Sequence, residues 1–266
     1  MLAGSSVARR SVAAMDSEAG WEFLAGSVRR QAPGLAAPPP ASSGFCTACR
    51  IPVPPGNARC YLCALHAETL PGLLADVVVP ICYAVKGGEH ARSLWLYKSA
   101  LPGAAAALAD LRALLVVFLR DHGRCVWRAA GMIRPTHLAV VPSGRGRPGP
   151  HPLRALACPS LSLPSAAIEL RLRDEPWTRE LDADRFRAAP LDGADVVLLD
   201  DTWTTGASAQ SACAALRLAG ARSVAVIVLG RHVTAAGSSV AGRALAAMPF
   251  RRRLCAVHAR GGENGQ

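Results

Sequence analysis

Residues 196–208 read Val-Val-Leu-Leu-Asp-Asp-Thr-Trp-Thr-Thr-Gly-Ala-Ser and carry the densest chemistry of this 266-residue chain. Asp200 and Asp201 follow four apolar residues, which places two carboxylates at the C-terminal end of a doubly buried strand, where open α/β sheets bind ligands. Thr202, Thr204, Thr205 and Ser208 bring hydroxyls, while Gly206 and Ala207 lead into a helix whose first amides lack internal partners. Such amides and hydroxyls suit a phosphate. The carboxylates repel a phosphate but suit neutral hydroxyls a short distance away, or water around a divalent ion. A phosphate cradle beside a diol-binding acidic pair describes a ribose 5-phosphate site. The plainer alternative, a surface acidic pair and an ordinary helix cap, needs far fewer of these groups.

Competing phosphate motifs fail. A Walker loop needs Gly-Lys-Ser or Gly-Lys-Thr, and Lys86 and Lys98 are the only lysines. A dinucleotide fold needs an acid on the following strand, and Val224–Leu229 has none.

A second chemical cluster lies upstream. Cys46-x-x-Cys49 and Cys60-x-x-Cys63 are separated by ten residues, so two turns can present four thiolates to one ion. Zn2+ is the expected occupant, in a structural role, because four protein ligands leave no open position. A loop of reduced thiols or a redox dithiol is the alternative. His66 either replaces a cysteine ligand or faces solvent on the next helix. Cys82, Cys125, Cys158, Cys213 and Cys255 are scattered and read as small buried or half-buried residues.

The elements that must position these groups follow from periodicity. Helices are expected from about Ala64 to Ala75, from Gly103 to Asp121 with Gly123 closing it, and over Ser208–Ala219 with Gly220 after it. Strands are expected at Leu138–Val141, Ile168–Leu172, Val196–Leu199 and Val224–Leu229. The last two flank a helix as a βαβ unit, hence part of a parallel sheet. Ser143–Pro152, with Arg145, Arg147, three glycines and three prolines, is a basic loop. Residues 1–44, with the Pro38–Pro40 run, read as a tail; a short amphipathic helix around Trp21–Val28 is an option within it. Met15 is an alternative start.

Composition sets the outer limits. Hydrophobic residues make up 51% and aromatics 5%, so Ala, Leu and Val build the core. Mean hydropathy is +0.22, and no uncharged apolar window reaches the length of a membrane span. The N-terminal residues lack the apolar stretch of a secretory signal, and nine cysteines, four in two tight pairs, do not resemble a disulfide framework. The chain reads as cytoplasmic. Its net charge of +11 suits anionic partners. Arg251-Arg252-Arg253 is either a solvated face or a nucleic-acid contact.

Residues 196–208 closely resemble the PRPP-binding signature of type I phosphoribosyltransferases (PRPP, 5-phosphoribosyl 1-pyrophosphate). With the upstream cysteines, the likeness is to the ComF-type branch, named for competence-related DNA uptake proteins, and spans about residues 45–235. The resemblance implies an α/β fold: a type I phosphoribosyltransferase-like parallel sheet flanked by helices and preceded by a small zinc-ribbon-like module. It divides the chain into a disordered tail (1–44), a zinc-binding module (45–68) and a phosphoribosyltransferase-like domain (69–260). By it, Asp200 and Asp201 are catalytic and hold the ribose 2- and 3-hydroxyls. Thr204, Thr205, Gly206, Ala207 and Ser208 take the 5-phosphate, Thr202 also contacts PRPP, and Arg145 and Arg147 meet the pyrophosphate with Mg2+.

The implied activity is Mg-dependent transfer of phosphoribosyl to an unidentified acceptor. The alternative is a non-catalytic ComF-like binding protein in DNA uptake or handling, with single-stranded DNA as partner. Thr204 stands where purine salvage relatives carry an Asp, which argues against purine salvage. The basic loop lacks the Gly-Phe-Asn-Gln ending that many relatives have. Trp203 either stacks on a base or sugar or packs under its loop. Lys86-Gly87-Gly88 and Lys98 read as solvated.

Overall fold

The computed structural model describes residues 17–40, 42–143, 151–156, 163, 164, 166–173, 180–234 and 240–257. Along the chain come α1 (Glu18–Gln31), α2 (Tyr61–Thr69), β1 (Val77–Val85), α3 (Glu89–Leu96), α4 (Ala104–Ala129), β2 (His137–Val140), α5 (Pro152–Leu156), β3 (Ala167–Ile168), β4 (Arg171–Leu172), β5 (Phe186–Arg187), β6 (Asp195–Trp203), α6 (Ala207–Leu218), β7 (Ser223–Val233) and α7 (Val240–Ala246). Five strands form one sheet in the order β1-β7-β6-β2-β3, every pairing parallel. The expected parallel sheet flanked by helices is therefore present, with the four-cysteine module before it.

Strand alternation distributes the core to two faces. Val197, Leu199, Ala225, Ile227 and Leu229 join one cluster with residues of α1, α3 and α4. Val196, Leu198, Val224, Val226 and Val228 join the other with Ala209, Ala212 and Cys213 of α6 and with Cys46, Cys49 and Cys63. The cysteine module thus docks on the α6 face rather than hanging on a linker.

Several elements differ from their sequence-based bounds. The helix expected from Gly103 to Asp121 runs on to Ala129, because Val126 and Trp127 are buried and keep its apolar face in the core. The strand expected at Ile168–Leu172 is two short strands in different sheets, β3 and β4. β1 was not anticipated, since Pro80 interrupts it; β1 is an edge strand, where a missing N–H is tolerated. Within the stretch expected to be a tail, residues 18–31 are helical. Ser17 caps that helix by accepting from the Gly20 N–H at 3.1 Å. Leu24 and Val28 are buried, and Ser27 donates to Asp110 of α4 at 3.1 Å. Trp21 lies under the guanidinium of Arg120 at 3.7 Å. Among the described residues no helix is long and apolar enough to cross a membrane.

Leu24→Ala is expected to lower unfolding free energy by about 2–4 kcal/mol in urea titration, as for a buried leucine; no change would mean that α1 is not part of the core.

Candidate functional site

The two carboxylates sit where β6 leaves the sheet core. Alternation sends Asp201 toward the α3–α4 side and Asp200 toward the α6 side, and both line one cleft of about 870 Å³. Asp201 is 5% exposed. It accepts from the Tyr97 hydroxyl at 2.5 Å and pairs with Lys98, with His151 Nε2 at 4.0 Å. Gly230 makes room for this arrangement: a Cβ there would run into Leu94 and come within 3.0 Å of Ala84 Cβ, so glycine lets α3 approach β7 and carry Tyr97 and Lys98 to the acid. Lys98 is accordingly an ion-pair partner rather than the solvated lysine expected. Asp200 is half-buried and accepts from the Thr202 N–H at 3.5 Å. Burial, reinforced by the charge of Asp201, pushes its carboxyl up to about 7, with Lys98 pulling the other way.

The loop after β6 is fixed from below. Trp203 is 1% exposed and packs under the loop, which decides between the two readings of this residue. Gly206 has φ 91° and lies so close that a Cβ would collide with the Trp203 ring. Arg231 of β7, itself buried, donates from Nη1 to the carbonyls of Trp203 at 3.1 Å, Thr204 at 2.8 Å and His232 at 2.6 Å. With the Trp203 and Thr204 carbonyls engaged by Arg231, the loop presents Thr204 and Thr205 to solvent, and the start of α6 borders the cleft through Ser208 and Ala209. Thr205 Oγ1 accepts from the Ala207 N–H at 3.3 Å. Thr202, Thr204, Thr205, Gly206 and Ser208 all border the cleft with both acids, and Lys86, Arg92 and Lys98 border it with them. Ser143 borders it too, but Arg145 and Arg147 lie outside the described residues.

The four thiols converge, their sulfurs all within 4.8 Å of one another. Cys49 and Cys60 Sγ are 3.7 Å apart. A tetrahedron with Zn–S bonds of about 2.3 Å has sulfur–sulfur edges of about 3.8 Å, so the cluster fits a zinc ion. Arg50, at φ 61°, closes the first turn and donates to the Cys46 carbonyl at 3.2 Å, while the Tyr83 hydroxyl donates to the Arg50 carbonyl. His66 lies outside the cluster and is buried, 5% exposed, rather than solvent-facing. Cys49, Cys60 and Cys63 share a smaller cavity with Thr205 and Arg231, so the metal module borders the phosphate-type loop.

Sequence reading did not single out Tyr97 or Arg231. Tyr97 has no partner within reach along the chain, and Arg231 lies beyond Leu229, where the apolar run ends. A long side chain just after a doubly buried strand was the one available signal.

Because the folded chain keeps a proton on Asp200 up to about 7, it holds a proton that the unfolded chain releases above the usual carboxylate range. Stability is therefore expected to fall as pH rises from about 4 to about 7, and Asp200→Asn is expected to lack that slope in thermal melts. For the thiol cluster, Cys49→Ser is expected to cost about one equivalent of bound zinc by metal analysis; unchanged zinc content would refute the site.

No family model matches the chain, and no curated protein does. Among solved structures, the purine phosphoribosyltransferase of Pyrococcus horikoshii Ot3 is similar at 15% identity over 45% of this chain and 84% of that one, with TM-score 0.27. The orotate phosphoribosyltransferase of Aeropyrum pernix is similar at 25% identity over 55% and 69%, with TM-score 0.30. Scores of this size carry no functional argument, and what the cleft can do rests on its own geometry.

Proposed function

We propose that the protein binds PRPP at the cleft and transfers its phosphoribosyl group, in a Mg-dependent reaction, to an acceptor of unassigned identity. The observation that carries this reading is the shared border of the cleft: both acids, Thr204, Thr205, Gly206 and Ser208 meet one volume large enough for a sugar phosphate.

In this reading the amides of Gly206, Ala207 and Ser208, with the Thr204 and Thr205 hydroxyls, hold the 5-phosphate. Asp200 and Asp201 accept from the ribose hydroxyls and keep the ring oriented. Lys98 and Tyr97 hold Asp201 in place and damp the repulsion between the two carboxylates. The bond from the anomeric carbon to pyrophosphate breaks as the acceptor's bond forms, so positive charge grows on the ribose beside the acids. Lys86 and Arg92 stand on the wall where the departing anion can be met. The acid pair fits Mg2+, which supplies charge neutralisation on the pyrophosphate when bound with PRPP. Arg145 and Arg147 are assigned to the same anion by their place after β2.

The cysteine module upstream of this loop supports a place in the ComF-type branch. None of the eight described cysteines is in a disulfide, and four of them converge as a metal-type cluster, which supports a reducing, cytoplasmic setting. Of the three-arginine run, Arg252 is committed to Asp121, leaving Arg251 and Arg253 exposed for a nucleic-acid contact.

Calorimetry with PRPP and Mg2+ tests the binding: Asp200→Asn/Asp201→Asn is expected to weaken it by about 10–100-fold, as for loss of charged hydrogen bonds. Affinity of the native chain is expected to rise about tenfold from pH 6 to pH 8 as Asp200, held at about 7, ionises. No heat from the native chain would refute the reading. Pyrophosphate release on screening bases and amines then separates an enzyme from a non-catalytic binder.

A further inference from the structure

Helix α4 does not stop at Gly123, and its last turns carry a second convergence of soft ligands. His122 and Cys125 are three residues apart and so share one face of the helix. Cys255 arrives from the far end of the chain, and the ligand atoms of the three residues lie within 4.8 Å of one another. That is the same convergence that the four-cysteine cluster satisfies. His122 and Cys255 are buried, and Cys125 is half-buried.

The approach of Cys255 is enforced by neighbours rather than by chance. Arg252 donates to both oxygens of Asp121, from Nε at 2.5 Å and from Nη2 at 3.1 Å, which pins the C-terminal segment to α4. The same guanidinium lies 4.9 Å from the Trp21 ring. The Arg252 carbonyl is 2.6 Å from His122 Nε2. A carbonyl only accepts, so Nε2 carries the hydrogen and the lone pair resides on Nδ1. A ring nitrogen held by a backbone carbonyl, with the opposite nitrogen basic, is the arrangement that orients histidines toward metals. The Phe118 ring, 5.4 Å from the imidazole, flanks it.

We propose that His122 Nδ1, Cys125 Sγ and Cys255 Sγ form a second metal site, for a thiophilic closed-shell ion, Zn2+ or Cu+. Two thiolates and an imidazole are the donors such ions prefer. Binding converts two thiols to thiolates and releases two protons, which leaves a Zn2+ complex neutral within a mostly buried site. Three protein donors satisfy a trigonal Cu+ and leave Zn2+ one position for water. The site owes nothing to the PRPP reading, and it ties the end of the chain to α4 at the point where α1 also packs.

Metal counting on the full-length protein, saturated with Zn2+ or with Cu+ under reducing conditions and then desalted, tests the site. The native chain is expected to retain about two equivalents and Cys125→Ala/Cys255→Ala about one. Which ion occupies the second position identifies the preferred one. Should the double variant fail to fold, X-ray absorption of the native chain decides: a nitrogen scatterer is expected to enter the first coordination sphere with the second equivalent. An unchanged metal count in the folded variant, as a Cys125–Cys255 disulfide that excludes the ion would also give, overturns the proposal. So does an all-sulfur shell at full loading.

Discussion

The Gly206 backbone rests directly on the Trp203 ring, and no L side chain fits between them. This contact sets the rest of the site. The ring belongs to the same buried cluster as Cys46, Cys49 and Val53, and Cys49, Cys60 and Cys63 share a cavity with Thr205 and Arg231, so the cysteine module borders the loop. Arg231 takes up the loop carbonyls from the same side. With the Trp203 and Thr204 carbonyls taken up by Arg231, the Thr204 and Thr205 side chains stand on the exposed side of the loop, which borders the cleft. In the proposed reading, anion affinity is a consequence of how the loop is anchored, before any basic side chain is counted.

The acids impose the complementary constraint. Two adjacent carboxylates at a strand end cannot both be ionised cheaply when one is 5% exposed and the other half-buried. The protein answers by giving Asp201 a lysine and a tyrosine hydroxyl, and by letting Asp200 keep its proton to about 7. Asp201 is therefore held in place by a cation and a hydroxyl, while Asp200 is the adjustable member of the pair. A neutral diol, which donates hydrogens to carboxylate oxygens, is accepted best once Asp200 has ionised, whereas an anion brought to the same spot is then repelled. The proposed ligand accordingly has its phosphate toward α6 and its sugar toward the acids, along the cleft.

How much of this could be read from the sequence depends on the range of the interactions. The strand, acids, loop and helix of residues 196–218 are contiguous, so their order alone locates them, and the doubled Cys-x-x-Cys spacing does the same for the metal module. What sequence could not supply were partners brought in from afar. Tyr97 and Lys98 reach Asp201 across more than a hundred residues, because Gly230 admits α3 to the sheet. Residues 18–31 read as a tail by composition around them, yet two buried side chains and an aromatic under an arginine hold them to α4. β1 was hidden by Pro80, which is tolerable only on a sheet edge, and an edge is a property of the assembled sheet. Cys125 and Cys255 look like scattered small residues until the C-terminal segment is laid along α4 beside His122.

The shortage of aromatics has its own structural consequence. With 5% aromatic residues, the core cannot fill wide gaps between layers, so the helices must come close to the sheet. On one face α6 does so through Ala209, Ala212 and Cys213; on the other α3 does so against Gly230. Close approach on both faces leaves helix ends standing at the strand ends, with the cleft between them. Trp203 is the exception to the small-residue rule in this region, and it is spent under the loop, where a large flat surface is needed to support a glycine in the left-handed conformation. Replacing it by an aliphatic side chain would leave Gly206 and the first turn of α6 without a floor, and the amides would no longer share a common direction.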